Sequence, residues 1–198
     1  MQYLITQVIG QMKMCKFSRK RCFWVDEKSE IYVKYHDEEW GVPKYDDRYL
    51  FEFLVLESFQ AGLSWITVLK KREAFKKAFD NFDVNKVAKY DEKKVEELLK
   101  NERIIRSRGK INAAINNAKI FIDIQKEYGS FSKYIWGFTD NEIIKRTSKE
   151  LPVSTPLSDK ISKDLKKRGM KYVGTVIIYS YLQAIGVVND HDKDCFCY

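Results

Sequence analysis

The feature that most constrains the fold is a spacing of three and four residues between apolar side chains, which recurs from residue 46 to residue 185. This spacing is typical of amphipathic helices. Leu50 and Phe53 begin the pattern; Asp46 or Asp47 can cap that helix, and Gly62 can end it. Further helix starts and ends are predicted at Ser64, Asp83, Asp91, Gly129, Ser158 and Gly169.

The pattern predicts an all-α, two-lobed helical bundle. Alternation typical of a strand occurs only at Ile31–Val33, and the single Pro/Ser/Thr cluster, Leu151–Pro156, predicts a connection between the lobes. The 198 residues are enough to bury a core without disulfides, and a hydrophobic content of 44% excludes intrinsic disorder. We expect a single domain over residues 19–198, preceded by a tail of residues 1–18 that is disordered or an extension.

The sequence predicts no membrane segment, because no apolar run approaches ~18 residues. The run Leu4–Ile9 is too short for the core of a signal peptide, and no basic residue precedes it. We therefore expect a cytoplasmic, monomeric protein whose four cysteines are thiols or metal ligands.

The formal charge of +8 is unevenly distributed. Residues 1–21 carry +5, residues 100–110 carry +4 and residues 160–171 carry +5, so the rest of the chain is acidic. Three basic islands on an acidic protein indicate a footprint for an anionic partner such as nucleic acid. For any one island, the alternative is a solvated lysine face.

The third basic island lies in a predicted helical hairpin over about residues 158–186. Gly169 can end the first helix with a positive φ, and Gly174 lets the backbone approach a ligand where the second helix begins. Free N–H groups at that N-terminus favour an anion. The positive charge comes from Lys166, Lys167, Arg168 and Lys171. We interpret the segment as a helix-hairpin-helix motif that holds the DNA backbone without reading sequence; the alternative is an ordinary hairpin with exposed lysines.

Histidines and cysteines near the two ends of the chain form a candidate metal site. His191 and Cys195 are spaced so that both can reach one cation, and Cys22 with His36 completes a Cys2His2 set. Such a zinc site would be structural, because four protein ligands leave no position for water, and it would close nearly the whole chain. The alternatives are ordinary buried cysteines and surface histidines, or a disulfide between Cys22 and Cys195. Two rival ligands are Cys15 and Cys197.

Glu57 is predicted to point from the apolar face of its helix, because it lies three and four residues after apolar side chains. A buried carboxyl without a partner is costly. It can cap the following helix or pair with a distant lysine. However, Gln60 and Trp65 follow it, and an aromatic-rich stretch with Tyr32, Tyr35 and Trp40 precedes it. An acid among aromatic planes suits a flat, cationic ligand.

Leu63 occupies a tight corner between two predicted helices, flanked by Gly62 and Ser64. An apolar side chain at such a corner can wedge between bases. Equally, it can make a hydrophobic contact that caps a helix.

Together these residues resemble the DNA-3-methyladenine glycosylase type I family. The motifs that carry the resemblance are Tyr35–Pro43, Leu56–Arg72, Ile104–Ile111, Leu165–Thr175 and Val188–His191 with Cys195. They cover roughly residues 20–198, and the tail lies outside the family pattern. One departure is an extra residue between Cys22 and His36, in a predicted loop.

The resemblance implies an all-α, helix-hairpin-helix enzyme with one structural zinc ion held by Cys22, His36, His191 and Cys195. It also implies a pocket in which Glu57 bonds the damaged base, with Tyr32, Tyr35 and Trp65 around its ring. The implied reaction is hydrolysis of the N-glycosidic bond to 3-methyladenine in alkylated double-stranded DNA, which leaves an abasic site.

Asp190 lies near the end of the chain where related helix-hairpin-helix glycosylases place a water-activating aspartate. Because it adjoins His191, we interpret it first as a group that orients a metal ligand. Two rival functions are a non-catalytic helix-hairpin-helix module that holds DNA, and a protein that binds alkylated bases through the aromatic pocket alone.

Overall fold

Helix α2 (Asp47–Gln60) is the centre of the structure, a computed structural model that describes residues 19–146 and 150–198. Asp46 caps this helix, because its carboxylate accepts the Tyr49 backbone N–H at 2.9 Å. Every residue from Leu50 to Phe59 is buried, so neighbouring elements surround the helix. The predicted tail and Cys15 lie outside the described residues.

The described residues form nine α-helices and one pair of two-residue strands, which confirms the all-α prediction. The other elements are α1 (Glu30–Glu38), α3 (Trp65–Ala78), α4 (Val84–Val87), α5 (Glu92–Lys100), α6 (Arg108–Tyr128), α7 (Phe131–Trp136), β1 (Ile144–Lys145), α8 (Pro156–Lys167), α9 (Thr175–Ala184) and β2 (Val188–Asn189), with 3-10 turns at Asp80–Phe82 and Gly137–Thr139. The two strands pair in parallel, with Ile144 opposite Val188.

Most of the predicted helix boundaries are confirmed. Asp83 and Asp91 cap α4 and α5 through their carboxylates, and Gly129, with a φ of 87°, follows the end of α6. The predicted start of α8 is wrong. Thr155 is its N-cap, and Ser158 completes a capping box from inside the helix.

The predicted strand at Ile31–Val33 is also wrong, because these residues lie in α1. Three alternating residues are too few to distinguish a strand from a helix. The helix is set by its interior face, where Tyr35 and His36 are buried.

The buried apolar side chains form one cluster in which α2 packs against α3, α6 and α9. Helices α8 and α9 pack on each other as a helical hairpin. Within the described ranges, no helix is long and apolar enough to cross a membrane.

Arg72 joins three helices on one side of the core. From α3 its guanidinium donates hydrogen bonds to Glu52 of α2 and to Glu39 at the end of α1. It also lies over the ring of Phe53, 4.8 Å from the centroid. A buried carboxylate is tolerated when it is paired, so Glu52 is satisfied. The network fixes α1 against α2 and α3.

The chain that follows α1 crosses the end of α9 at very short range. The Gly41 N–H donates to the Gln183 carbonyl at 2.9 Å. Gly186 has a φ of 74°, and a Cβ there would lie 2.3 Å from the Val42 carbonyl carbon. Only glycine fits this crossing, which sets Trp40 beside the C-terminal half of α9.

Candidate functional site

A cavity of about 250 Å³ opens beside the buried end of α2. Its walls come from α1, α2, α3 and α9, from the segments before and after α1, and from the segment before α8. The residues that line it are Trp24, Tyr32, Tyr35, Trp40, Glu57, Gln60, Trp65, Leu151, Ser180 and Gln183. All five residues predicted for the base pocket, at positions 32, 35, 57, 60 and 65, are therefore brought together; we call this cavity the base pocket.

Aromatic rings form two connected walls of the base pocket. On one side, Tyr35 and Trp65 lie with ring centroids 5.4 Å apart. On the other, Trp24 packs edge-on against Tyr32 at 5.3 Å and against Trp40 at 4.9 Å. Such walls suit a flat ring that stacks, and they attract positive charge through their π faces.

Glu57 is the charged group of the pocket, and it differs from Glu52, the other buried acid of α2. Both carboxyls are buried, but Glu52 pairs with Arg72, whereas Glu57 Oε2 has no hydrogen-bond partner within the described ranges. Neither the helix cap nor the lysine pair considered from sequence is present among these residues. Burial alone raises the pKa of Glu57 to about 8.

The pocket also holds an unpartnered donor. Trp65 Nε1 is buried without a hydrogen-bond partner in the described part of the chain. Buried polar groups are usually satisfied, and exceptions call for an explanation. The Glu57 carboxyl and the Trp65 ring N–H thus both lack hydrogen-bond partners in residues that line one aromatic cavity. This pair indicates a ligand with complementary polar groups on a flat ring.

Sequence reasoning missed three of the polar or aromatic lining residues. Ser180 and Gln183 interrupt the otherwise apolar α9 three residues apart, and this break in an apolar run is a signal that could have found them. Trp24 gave no such signal, because its place in the wall depends on the path of the chain before α1.

The corner after α2 is held by a buried lysine from α6. Lys110 Nζ donates to the carbonyls of Phe59 at 2.9 Å and Ala61 at 2.7 Å, which satisfies the free carbonyls at the end of α2. Beyond them, Gly62 has a φ of 80°, and the Leu63 side chain is 41% exposed. An apolar side chain that projects from an anchored corner is suited to wedge into a partner, more than to cap a helix.

Four buried side chains from the two ends of the chain converge on one point. Cys22, His36, His191 and Cys195 each offer a ligand atom, and these atoms all lie within 4.8 Å of one another. Sulfur-to-nitrogen distances in the cluster are 3.4 to 3.5 Å. A tetrahedral zinc ion with ordinary bond lengths places such atoms about 3.6 Å apart, so the residues fit the ion.

We call these four side chains the metal cluster. Its two imidazoles are oriented for ligation. Asp37 holds His36 Nδ1 at 2.7 Å, which turns Nε2 toward the cluster. The Trp40 carbonyl accepts from His191 Nε2 at 3.0 Å, which turns Nδ1 inward. Burial lowers the pKa of His191 to about 4, so its inner nitrogen carries a lone pair. Such outer contacts are typical of metal ligands.

The alternatives for these cysteines are resolved within the described residues. Cys22 and Cys195 are free thiols, so they form no disulfide. The rival ligand Cys197 is only half-buried, and it lies outside the four-residue cluster, in a second group with His36 and Asp37. Asp190 does not hold a histidine of the cluster, contrary to our interpretation from sequence, because its carboxylate bonds Tyr179 and Gln183. Asp37 orients His36, and the Trp40 carbonyl orients His191.

The hairpin between α8 and α9 is held by two asparagines of α6. Asn117 bonds both the N–H and the carbonyl of Lys171 at 2.8 Å, and Asn116 donates to the Gly169 carbonyl. Gly169 has a φ of 97°, as predicted, and Gly174 is the N-cap of α9. The lysines at the turn of the hairpin, Lys166, Lys167 and Lys171, are exposed, as are Lys160 and Lys163 on α8.

Some of the predicted basic footprint is neutralised within the fold. Arg168 pairs with Asp164 and Glu127, and Arg108 pairs with two glutamates of α5. Lys110 is buried at the end of α2. Among the described residues, five exposed lysines of the hairpin therefore remain outside the salt bridges, and three of them, Lys166, Lys167 and Lys171, lie at the turn.

The fold and the site define a helical protein with an aromatic pocket for a flat ligand and a basic hairpin nearby. A family model described as "Methyladenine glycosylase" matches residues 24–198. DNA-3-methyladenine glycosylase 1 of Escherichia coli (strain K12) is 48% identical over 182 residues, which cover 90% of this chain and 97% of that protein. The chain belongs to the methyladenine glycosylase family.

Solved structures agree with this assignment. A crystal structure of 3-methyladenine DNA glycosylase I superimposes with a TM-score of 0.87 at 49% identity. The comparison covers 90% of this chain and 100% of the other. A structure that gives the structural basis of 3-methyladenine recognition by the Staphylococcus aureus 3-methyladenine DNA glycosylase I superimposes with a TM-score of 0.83 at 38% identity. That comparison covers 85% of this chain and 92% of the other.

The unpartnered carboxyl of Glu57 predicts how stability depends on pH. Its pKa of about 8 in the folded state lies above the ordinary value of 4.5, so the folded protein binds the extra proton between these values. The free energy of unfolding should therefore fall as pH rises through this window, by at most about 1.4 kcal/mol per pH unit. Glu57→Gln removes this loss, so its stability relative to the parent protein should increase from pH 5 to pH 8.

Urea unfolding midpoints at the two pH values measure this effect. Glu52→Gln is the matched control in the same helix; because it leaves the buried Arg72 without one partner, it should be less stable than the parent at both values. Parallel pH profiles for the parent and Glu57→Gln would mean that Glu57 is not held in its neutral form.

Proposed function

We propose that this protein is a DNA repair N-glycosyl hydrolase that removes 3-methyladenine from alkylated double-stranded DNA, releasing the free base and leaving an abasic site. The observation that carries the proposal is the buried, unpartnered Glu57 carboxyl between aromatic walls. Family membership and relatives named 3-methyladenine DNA glycosylase support it.

The chemistry of the lesion matches what the pocket offers. Methylation at N3 makes the nucleobase cationic and therefore a good leaving group, which needs little acid catalysis. The protein has to extrude the nucleotide, recognise it and let water attack an oxocarbenium-like sugar. Extrusion costs a few kcal/mol, and less for a weakly paired damaged base.

Glu57 distinguishes the lesion from ordinary adenine by charge. Burial keeps the carboxyl neutral below its pKa of about 8. A cationic base favours the ionised form of Glu57 and forms an ion pair with it. Neutral adenine forms no such pair, so the desolvation cost of ionising the carboxylate is not offset. Tyr32, Tyr35 and Trp65 stack on the ring and stabilise its charge, and Gln60 supplies a polar contact at the pocket edge.

Leu63 fills the space that the extruded nucleotide leaves. It is the apolar side chain at the exposed corner directly after the helix that carries Glu57. An apolar wedge keeps the duplex open while the base is read.

The hairpin holds the DNA backbone near the lesion. Phosphate contacts come from Lys166, Lys167 and Lys171 and from the backbone at Gly169 and Gly174. The predicted contact of Arg168 is the weakest of the set, because that guanidinium already has two carboxylate partners.

The metal cluster holds one structural zinc ion per chain. Its four protein ligands would leave no position for a substrate or a water molecule, so the ion supplies stability and no step of hydrolysis. It joins the segment before α1 to the C-terminal segment. The protein acts as a monomer in the cytoplasm.

Two other classes of function make different predictions. A DNA-holding module has no use for the buried acid in the aromatic pocket, and a base-binding protein has no use for the basic hairpin. Incubation with methylated DNA separates all three: only a glycosylase releases free 3-methyladenine, whereas retention of DNA without release, or binding of the free base alone, identifies the others.

Glu57→Gln should lower the single-turnover rate of 3-methyladenine release by about 100-fold or more, because the amide cannot balance the charge of the base. Near pH 5, where the parent carboxyl is also neutral, the melting temperature should stay at the parent value, and zinc content should be unchanged. Glu27→Gln, an exposed change outside the pocket, is the control. An unchanged rate in Glu57→Gln removes this residue from recognition.

Metal analysis of the purified protein should return about one zinc ion per chain. Cys195→Ser should lose the ion and several kcal/mol of stability, because structural zinc contributes directly to folding. Cys197→Ser changes a neighbouring thiol and should retain the ion. A fully stable, metal-free parent protein would contradict the structural role.

Charge reversal at the hairpin should weaken binding to any duplex. If Lys166 and Lys167 each contact one phosphate, the double change to Glu lowers the slope of log affinity against log salt by about 1.8. The same double change at Lys76 and Lys77, about 17 Å along α3 from Trp65, is the control. An unaltered salt slope in the hairpin variant would place the DNA on another surface.

A further inference from the structure

Gln183 is a polar side chain in the wall of the base pocket that neither the sequence motifs nor the proposed roles assign. It lies in the last turn of α9, which is otherwise mostly apolar, and it is 8% exposed. Its side chain lines the pocket together with Glu57 and the aromatic rings. A buried amide has two donors and one acceptor to satisfy, so its orientation matters.

The orientation of this amide is set by Asp190. Gln183 Nε2 donates to Asp190 Oδ2 at 2.7 Å, and a carboxylate accepts hydrogen bonds but cannot donate them. The opposite orientation would bring two acceptors together. The amide oxygen therefore has a fixed direction, and within the described residues no hydrogen bond reaches it.

Asp190 is itself held in place for this contact. It is 2% exposed, directly after β2, and Tyr179 of α9 donates its hydroxyl to the same carboxylate oxygen. The other oxygen, Oδ1, has no partner in the described part of the chain. An asparagine would fill the same space without the cost of a buried charge, but it would allow either orientation of the neighbouring amide.

We propose that Gln183 is a specificity-determining residue of the base pocket, and that Asp190 is a positioning residue that keeps the Gln183 carbonyl oxygen available to the base. This inference rests on the proposed function. The pocket then offers two acceptors, Glu57 and Gln183, to the amine and the positive edge of a cationic purine. A base with a carbonyl oxygen in place of the amine meets acceptors instead of donors and is rejected.

The ratio of two excision rates tests this role. Duplex DNA carrying 3-methyladenine or 3-methylguanine is incubated with saturating enzyme, and single-turnover release is measured for each; the second base has a carbonyl oxygen where the first has an amine. The parent protein should prefer 3-methyladenine. Asp190→Asn and Gln183→Leu should each reduce this preference by about tenfold or more.

The double variant separates positioning from independent effects. If Asp190 acts through Gln183, the combined change should reduce the preference no further than Gln183→Leu alone. Asp192→Asn is the matched control, because it changes an acid on the other side of His191 that bonds Arg146 and Phe23 instead of the pocket. Its preference should equal that of the parent, and zinc content is measured for every variant.

Two results would overturn the inference: parent-like preference in Gln183→Leu, or additive effects in the double variant. If Asp190→Asn loses its metal, the Gln183→Leu ratio decides alone. Failure of the proposed function is distinct, because a parent protein that releases neither base from DNA contradicts that function before any ratio is formed.

Discussion

The chemistry of the base pocket depends on the desolvation of one carboxyl. Helix α2 is buried on all sides from Leu50 to Phe59 and carries two buried acids there. Within the described residues, Arg72 pairs with Glu52, but Glu57 has no partner. Burial without a partner raises the pKa of the Glu57 carboxyl, so the group stays neutral. Neutrality limits the free-energy cost of burying this polar group but does not remove it. The pocket therefore favours a ligand that carries positive charge on a ring thin enough to fit between the aromatic walls, and we call this the need for a flat cation. A cationic alkylated purine meets this need, and a normal base does not.

The metal cluster and the base pocket share a wall, so the closure of the chain supports recognition. Trp40 packs edge-on against His191 with ring centroids 4.7 Å apart, and Trp24 packs against His36 at 5.4 Å. The same two tryptophans line the pocket. Joining the chain ends therefore fixes one side of the pocket, although the cluster itself takes no part in the chemistry we propose.

Local signals in the sequence predicted the helices well, because caps and glycines act over a few residues: Asp46, Asp83 and Gly129 lie where the pattern placed them. The strand at Ile31–Val33 was wrong because three residues carry too little periodicity. Tertiary partners were the part that sequence could not supply. The carboxylates that engage Arg168 include one from α6, and the partners of Asp190 come from α9, so neither could be read from neighbouring residues. The buried Cys/His cluster and Glu57 could be found because their residue types are rare or out of place in the pattern.

The central claim is that Glu57 selects positive charge, and ligand binding at varied pH tests it most directly. The fixed cation 3,9-dimethyladeninium and its neutral 3-deaza isostere have nearly the same shape, and quenching of the pocket tryptophans reports binding of either. Below the Glu57 pKa of about 8, binding of the cation must release the carboxyl proton. The affinity of the cation should therefore rise with pH toward 8, by up to about tenfold per pH unit, while that of the isostere should not rise. The same pH dependence for both compounds would contradict the account.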